Sequence, residues 1–167
     1  MEKLIDFFNN RVFFAVLTAW LVTQILKFLI NLTVERKAKF ERLIGDGGMP
    51  SGHSATVMTL AILIGWSYGY ASPAFAIAAL LAIIVMHDAT GVRRETGKQA
   101  VLIKQFADIL NDFTAFVGEK DADIRTEKLK VLVGHTPLQV FFGALVGVVV
   151  SIVYILIMNP VYAAYAL

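Results

Sequence analysis

Apolar positions fill four long runs in this chain, and a fifth stretch alternates apolar and polar positions with a helical period. The first run, 12–34, is long enough to cross a bilayer, which needs about 20 residues at a rise of 1.5 Å each. Gln24 and Lys27 interrupt it. No small-residue cleavage site follows, so the pattern predicts a retained transmembrane helix and not a signal peptide. Before it, Leu4, Ile5, Phe7 and Phe8 predict an interfacial turn. The second run, 52–70, ends on Trp66, Tyr68 and Tyr70, as an aromatic belt at a membrane surface would. Ala71-Ser72-Pro73 predicts a tight turn. The third run, 74–88, is only about 21 Å long at helical rise, short of the usual 30 Å or so. Its end, His87-Asp88, is therefore expected at the membrane boundary or in a polar cavity. The fourth run, 137–158, carries Gly143 and Gly147 as a GxxxG face for close helix packing.

The segments between these runs are polar. Residues 35–42 predict a charged loop or short helix, and 89–98 a glycine-punctuated loop. From 99 to 117, Leu102, Phe106, Ile109, Leu110, Phe113 and Val117 share one helical face, and Lys104, Asp108, Asn111 and Asp112 another. This predicts an amphipathic helix that lies on the membrane or covers the loop side of the bundle. A charged linker follows over 118–125, then a short helix capped by Thr126. The expected fold is all-α: a single integral-membrane domain with about four transmembrane helices plus an amphipathic interfacial helix.

Composition agrees. Of 167 residues, 57% are hydrophobic, and a mean hydropathy of +0.69 is too high for a soluble domain of this size. There is no cysteine, which excludes disulfides and thiolate metal sites. Counting four crossings places the helix starts at His53 and His135, the end at Asp88 and the Lys27 half of the first helix on one side. That side also holds Arg36, Lys37, Lys39, Arg42, Arg93, Arg94, Lys98, Lys104, Lys120, Arg125, Lys128 and Lys130, against Lys3 and Arg11 on the other. By the positive-inside rule the motif-bearing side is cytoplasmic. The expected setting is a bacterial plasma membrane with the active site facing the cytoplasm.

Chemistry concentrates in Gly47-Gly48-Met49-Pro50-Ser51-Gly52-His53-Ser54, between the basic segment and the second run. Ser51 suits a helix N-cap, and Pro50 the turn before it. The glycines let backbone N–H groups approach a ligand closely, and the helix start favours an anion. His53 adds a proton donor, so the string reads as a phosphate cradle. Gly134-His135-Thr136-Pro137 repeats that chemistry at the start of the last run.

Pro50-Ser51-Gly52-His53 matches the second signature block of the type-2 phosphatidic acid phosphatase superfamily, which includes vanadium haloperoxidases. The stretch from His135 to Gly143 resembles its third block, His-x-Pro-x-Asp-Val-x-x-Gly. The chain is most similar to the divergent branch, the acid phosphatase/vanadium-dependent haloperoxidase-related membrane proteins, to which Asp88-Ala89-Thr90-Gly91-Val92-Arg93-Arg94 is also similar. The resemblance runs from Gln24 to Gly147. It implies a helical membrane phosphatase that needs no metal or other cofactor and acts on a lipid or isoprenoid phosphate monoester or pyrophosphate. It implies His135 as nucleophile, through a phosphohistidine, and His53 as the acid for the leaving group, with Lys and Arg holding the phosphate.

This chain departs from the family pattern at several positions. The first block is Lys, six residues, Arg-Pro, whereas Lys27 and Arg36 are further apart and no proline follows. Six residues before His135 stands Leu129, flanked by Lys128 and Lys130. Where the family places a carboxylate to orient the nucleophile stands Gln139, and Asp88 is the candidate to replace it. The expected phosphate contacts are Lys27, Ser51, Gly52, Arg93, Arg94 and Lys128. Asp88 has a competing reading as a structural partner of Arg93 or Arg94, and the two arginines one as lipid-headgroup anchors. The expected partners are the lipid bilayer, a lipid-phosphate substrate and a second copy of the chain through the Gly143/Gly147 face; nothing points to nucleic acid. The alternative function is a non-catalytic membrane protein that binds an anionic lipid or a phosphorylated ligand in the same cradle. Gln139 favours that alternative. The paired histidines favour the enzyme, since a pure binder would use Arg or Lys, which stay charged at neutral pH.

Overall fold

The computed structural model describes residues 2–34, 48–117 and 134–165, and every regular element among them is a helix. The elements are α1 (Glu2–Phe8), α2 (Arg11–Val34), α3 (Gly52–Tyr68), α4 (Pro73–Thr90), α5 (Val92–Val117) and α6 (Pro137–Tyr165). The basic stretch 35–42, the linker 118–125, Thr126 and Lys128 lie outside the described residues.

The bundle is built around α3, whose main neighbours are α2, α4 and α6. Its composition permits this. Gly52, Ser54, Ala55, Val57, Thr59, Ala61, Leu63 and Gly65 are all buried, and most are small enough to let a neighbouring backbone close in. On α2 the facing row is Ala15, Ala19, Thr23 and Lys27, one residue every fourth position and all buried. On α6 the row is Gly143, Gly147 and Ser151. A side chain at Gly143 would strike Ser51, and one at Gly147 would strike Ala55 and Met58. The two helices therefore run parallel, with 51 beside 143 and 55 beside 147. Two buried hydroxyls, Thr59 Oγ1 from α3 at 3.2 Å and Ser151 Oγ from α6 at 2.7 Å, donate to the Gly147 carbonyl. The GxxxG face expected to meet a second copy is thus occupied inside one chain. Against α4, α3 packs Val57 and Ala61 on Ala78 and Ala82, rimmed by Leu60, Ile64, Val85 and Met86.

Three stretches are long and apolar enough to cross a membrane: Arg11–Thr33, a window within Pro73–Thr114, and Pro137–Met158. The fourth expected span, α3, has 17 residues. At about 26 Å it is slightly short of a full crossing, and its neighbours shield it. Large apolar side chains on α4 and α6 point outward, Ile77, Leu80, Ile84, Phe141, Leu145 and Leu156 among them. In a membrane chain these meet lipid.

Two boundaries differ from the sequence expectation. Leu4 to Phe8 belong to a short helix and not a turn. The loop expected over 89–98 is helical: α4 continues through Thr90 and α5 begins at Val92, with only Gly91 between them. The polar residues there satisfy one another. Thr90 Oγ1 donates back to the Met86 and His87 carbonyls, and Gly91 N–H to the His87 carbonyl at 2.8 Å. Arg93 Nε reaches the Asp88 carboxylate at 2.6 Å. The α4 helix is therefore about 27 Å long, and Asp88 sits in its last turn, beside the Gly91 break between α4 and α5.

Candidate active site

The first turns of α3 and α6 lie side by side. Ser51 caps α3: its Oγ accepts from Ser54 N–H at 3.4 Å, while its own N–H donates to the Gln139 carbonyl at 3.0 Å. One residue thus starts one helix and fastens it to the other. His53, in the first turn of α3, is half-buried, and His135, just before α6, is 3% exposed. Their ring centres are 6.0 Å apart, so both rings can reach a single phosphoryl group.

His135 is held from both ends. Its N–H donates to the Ala89 carbonyl at 2.9 Å, tying it to the end of α4. The preceding Gly134 has φ +86, a left-handed conformation that glycine adopts without strain. A side chain there would also strike the backbone of Arg93 and Arg94. The ring Nδ1 lies 3.3 Å from Gln139 Oε1.

Gln139 also completes a reciprocal cap. Thr136 N–H donates to Gln139 Oε1 at 3.0 Å, and Gln139 N–H donates to Thr136 Oγ1 at 3.3 Å. Thr136-Pro137-Leu138-Gln139 is a capping box with proline at the first helical position. The cap decides a question of chemistry. Because a backbone N–H points at it, the amide atom facing Thr136 must be the oxygen. That same oxygen faces His135 Nδ1, so Nδ1 carries the proton, and in the neutral ring the lone pair is on Nε2. A glutamine here orients the imidazole and selects its tautomer, two of the three services a carboxylate would supply; the third, stabilising imidazolium, it supplies weakly. The signal for this was in the sequence as Thr-x-x-Gln, but comparison with the family pattern draws attention only to the missing acid.

Asp88, expected to take over that orienting role, pairs instead with Arg93 at the α4–α5 junction, with side chains 37% and 49% exposed respectively. His87 is exposed.

The cationic part of the site comes from α2. Lys27 is 4% exposed, and a Cβ built on Gly52 would lie 3.9 Å from its Nζ and 3.6 Å from Trp20 Cδ1. The ammonium group therefore stands against the glycine that opens α3, where a bulkier residue would crowd it. Gln24, one turn deeper, and Thr23 are also buried. Ser54 is fully buried, and its Oγ finds no hydrogen-bond partner among the described residues. Trp20 carried no signal of its own in the sequence, as an aromatic inside an apolar run, and Ser54 closed the glycine-rich string without an assigned role. Arg93 and Arg94 are exposed at the start of α5, with their backbone against Gly134. Among the described sequence candidates, Lys27, Ser51, Gly52, His53 and His135 lie at adjoining helix ends; Arg93 and Arg94 meet them through the backbone against Gly134, and Asp88 pairs with Arg93.

The chain matches the model of the family described as "Divergent PAP2 family" over residues 8–150. It is 41% identical over 143 residues to "Uncharacterized membrane protein YuiD" of Bacillus subtilis (strain 168), an alignment covering 82% of this chain and 89% of that protein. No solved structure matches it. The match spans α2 to the first half of α6, and with it the two histidine-bearing helix starts and Lys27: this chain belongs to the divergent PAP2 family.

Proposed function

We propose that this protein is an integral-membrane phosphatase that hydrolyses a lipid or isoprenoid phosphate monoester or pyrophosphate through a phosphohistidine on His135. The observation that carries the reading is the pair of imidazoles 6.0 Å apart at two adjoining helix starts, one of them with its tautomer set by Gln139. A binder of anions gains nothing from a histidine whose neutral form is fixed with its lone pair on Nε2. A nucleophile requires it.

In this reading Nε2 of His135 attacks phosphorus and the ester P–O bond breaks. His53 gives its proton to the departing oxygen. Water then attacks the phosphohistidine, His53 takes the proton back, and inorganic phosphate leaves with His135 restored. Lys27, the N-terminus of α3 at Ser51 and Gly52, and the arginines at the α5 start offset the phosphoryl charge, which otherwise repels any nucleophile. The basic flank of 93–104 supports a site that faces the cytoplasm in a bacterial plasma membrane.

The test is phosphate release by the purified protein from a panel of lipid and isoprenoid phosphates, with acid-labile radiolabel trapped on His135. Turnover of at least one substrate with label on that residue is expected. Tight binding of a lipid phosphate with no hydrolysis, unaltered by His135→Ala and His53→Ala, would leave the non-catalytic binder as the reading.

A further inference from the structure

Helix α5 has three sectors. Leu102, Phe106, Ile109, Phe113 and Phe116 form a broad apolar sector, each between 53% and 89% exposed. Nearly opposite them run the small residues Gly97, Ala100 and Ala107, which are buried. Asp108 and Asp112 mark a third, polar sector. The helix therefore turns its small face inward and its large apolar face away from the protein, the reverse of a helix that caps the bundle with its apolar side. Among the described elements its main contact is α4.

What covers the large face follows from position and charge. The helix starts one residue after α4 ends, at the histidine end of the bundle, where the Arg93 and Arg94 backbone meets Gly134. Seven charged side chains between Arg93 and Asp112 keep α5 from crossing the apolar layer. Arg93, Arg94 and Lys98 stand in its first two turns, a cationic start that suits anionic headgroups. Its apolar sector is as exposed as the outward apolar side chains of α4, which in a membrane chain meet acyl chains. We propose that α5 is an interfacial anchor whose Leu102–Phe106–Ile109–Phe113–Phe116 face lies in the headgroup–acyl boundary of the leaflet on the histidine side. Because Gly134 and His135 rest on the α4–α5 junction, this seating also sets the depth of the histidine pair in that leaflet. It holds whether or not the site is catalytic.

The chain has no cysteine, so single cysteines can be introduced and labelled with a nitroxide directly. Labels at Phe106, Ile109 and Phe113, and at Gln105, Asp108 and Asp112, would be compared in phosphatidylethanolamine–phosphatidylglycerol vesicles, with Ile84 on α4 as a lipid-facing reference. Collisions with oxygen should exceed those with a water-soluble nickel chelate at 106, 109 and 113, and the order should reverse at 105, 108 and 112. The depth of the first set should be about 5–10 Å below the phosphates. Strong nickel collisions at all six positions would place the face in water and overturn the proposal. So would dipolar broadening at 106, 109 and 113 that disappears on dilution with unlabelled protein, which would assign the face to a second copy.

Discussion

The two histidines sit in matching places, each beside the first turn of a membrane helix, yet their surroundings are opposite. His135 is buried, anchored through its backbone to α4 and through its ring to Gln139. His53 is half-buried on a helix whose cap, Ser51, is held by α6. Under the proposed function, the difference is a division of labour. A nucleophile benefits from a fixed ring and a dry, uncharged state, because each freedom removed before attack lowers the barrier. A group that gives and regains a proton benefits from access to water. The sequence strings around the two residues resemble each other, and only the packing tells them apart.

That contrast can be broken in order of expected effect. His135→Ala should reduce turnover to background and abolish acid-labile phosphate, while vanadate still binds; retained turnover would assign the attack elsewhere. His53→Ala should cost about 10²–10⁴ with an alkyl phosphate, the usual worth of positioned acid catalysis. With nitrophenyl phosphate, whose leaving group needs no proton, the loss should be far smaller. The wild-type rate should follow a bell-shaped pH profile whose limbs belong to the coupled pair. An equal loss on both substrates would deny His53 its acid role. Gln139→Leu removes both the ring's acceptor and half of the capping box. Misplacing the tautomer costs about 10⁴ in a carboxylate-held triad, so for the weaker amide we expect roughly 10² in kcat, restored in large part by Gln139→Glu, which keeps an acceptor oxygen. Full rescue of a folded Gln139→Leu protein by added stability alone would reduce Gln139 to a cap.

Smaller effects sharpen the comparison. Lys27→Met should weaken vanadate inhibition at least about tenfold, since charge-assisted contacts are worth about 1.5–3 kcal/mol and about 1.4 kcal/mol is one decade. Unchanged inhibition would return Lys27 to a structural role. Asp88→Asn should change the rate less than about fivefold, because exposed ion pairs contribute about 0–1 kcal/mol. A large loss there, with the pH profile altered, would show that Asp88 and not Gln139 serves the nucleophile.

Much was legible before any coordinates. Apolar runs of bilayer length can only be helices in lipid, where every backbone group must bond within its own segment, so the helical membrane class and most helix bounds followed from composition and period. Ser51 as a cap followed from its side chain, and the gathering of His53, His135 and Lys27 at one end followed from counting crossings. The α4–α5 junction was not legible, because residues 89–98 look like a loop one by one; their helix depends on mutual contacts such as Arg93 with Asp88.

Three matters belonged to the tertiary structure alone. The GxxxG face is read from sequence as a free surface, but its partner is α3 of the same chain, and which helix fills a groove is settled by all the helices at once. The orienting group of His135 is Gln139 and not Asp88: both are near in topology, and a hydrogen bond discriminates at tenths of an ångström, finer than any sequence pattern resolves. The inward face of α5 is its small one, because close approach to a neighbour favours Gly and Ala, while lipid accepts the phenylalanines that a water-soluble fold would have buried. Hydrophobicity along the chain determined that this protein lives in a membrane; the packing of small residues decided where its chemistry is held.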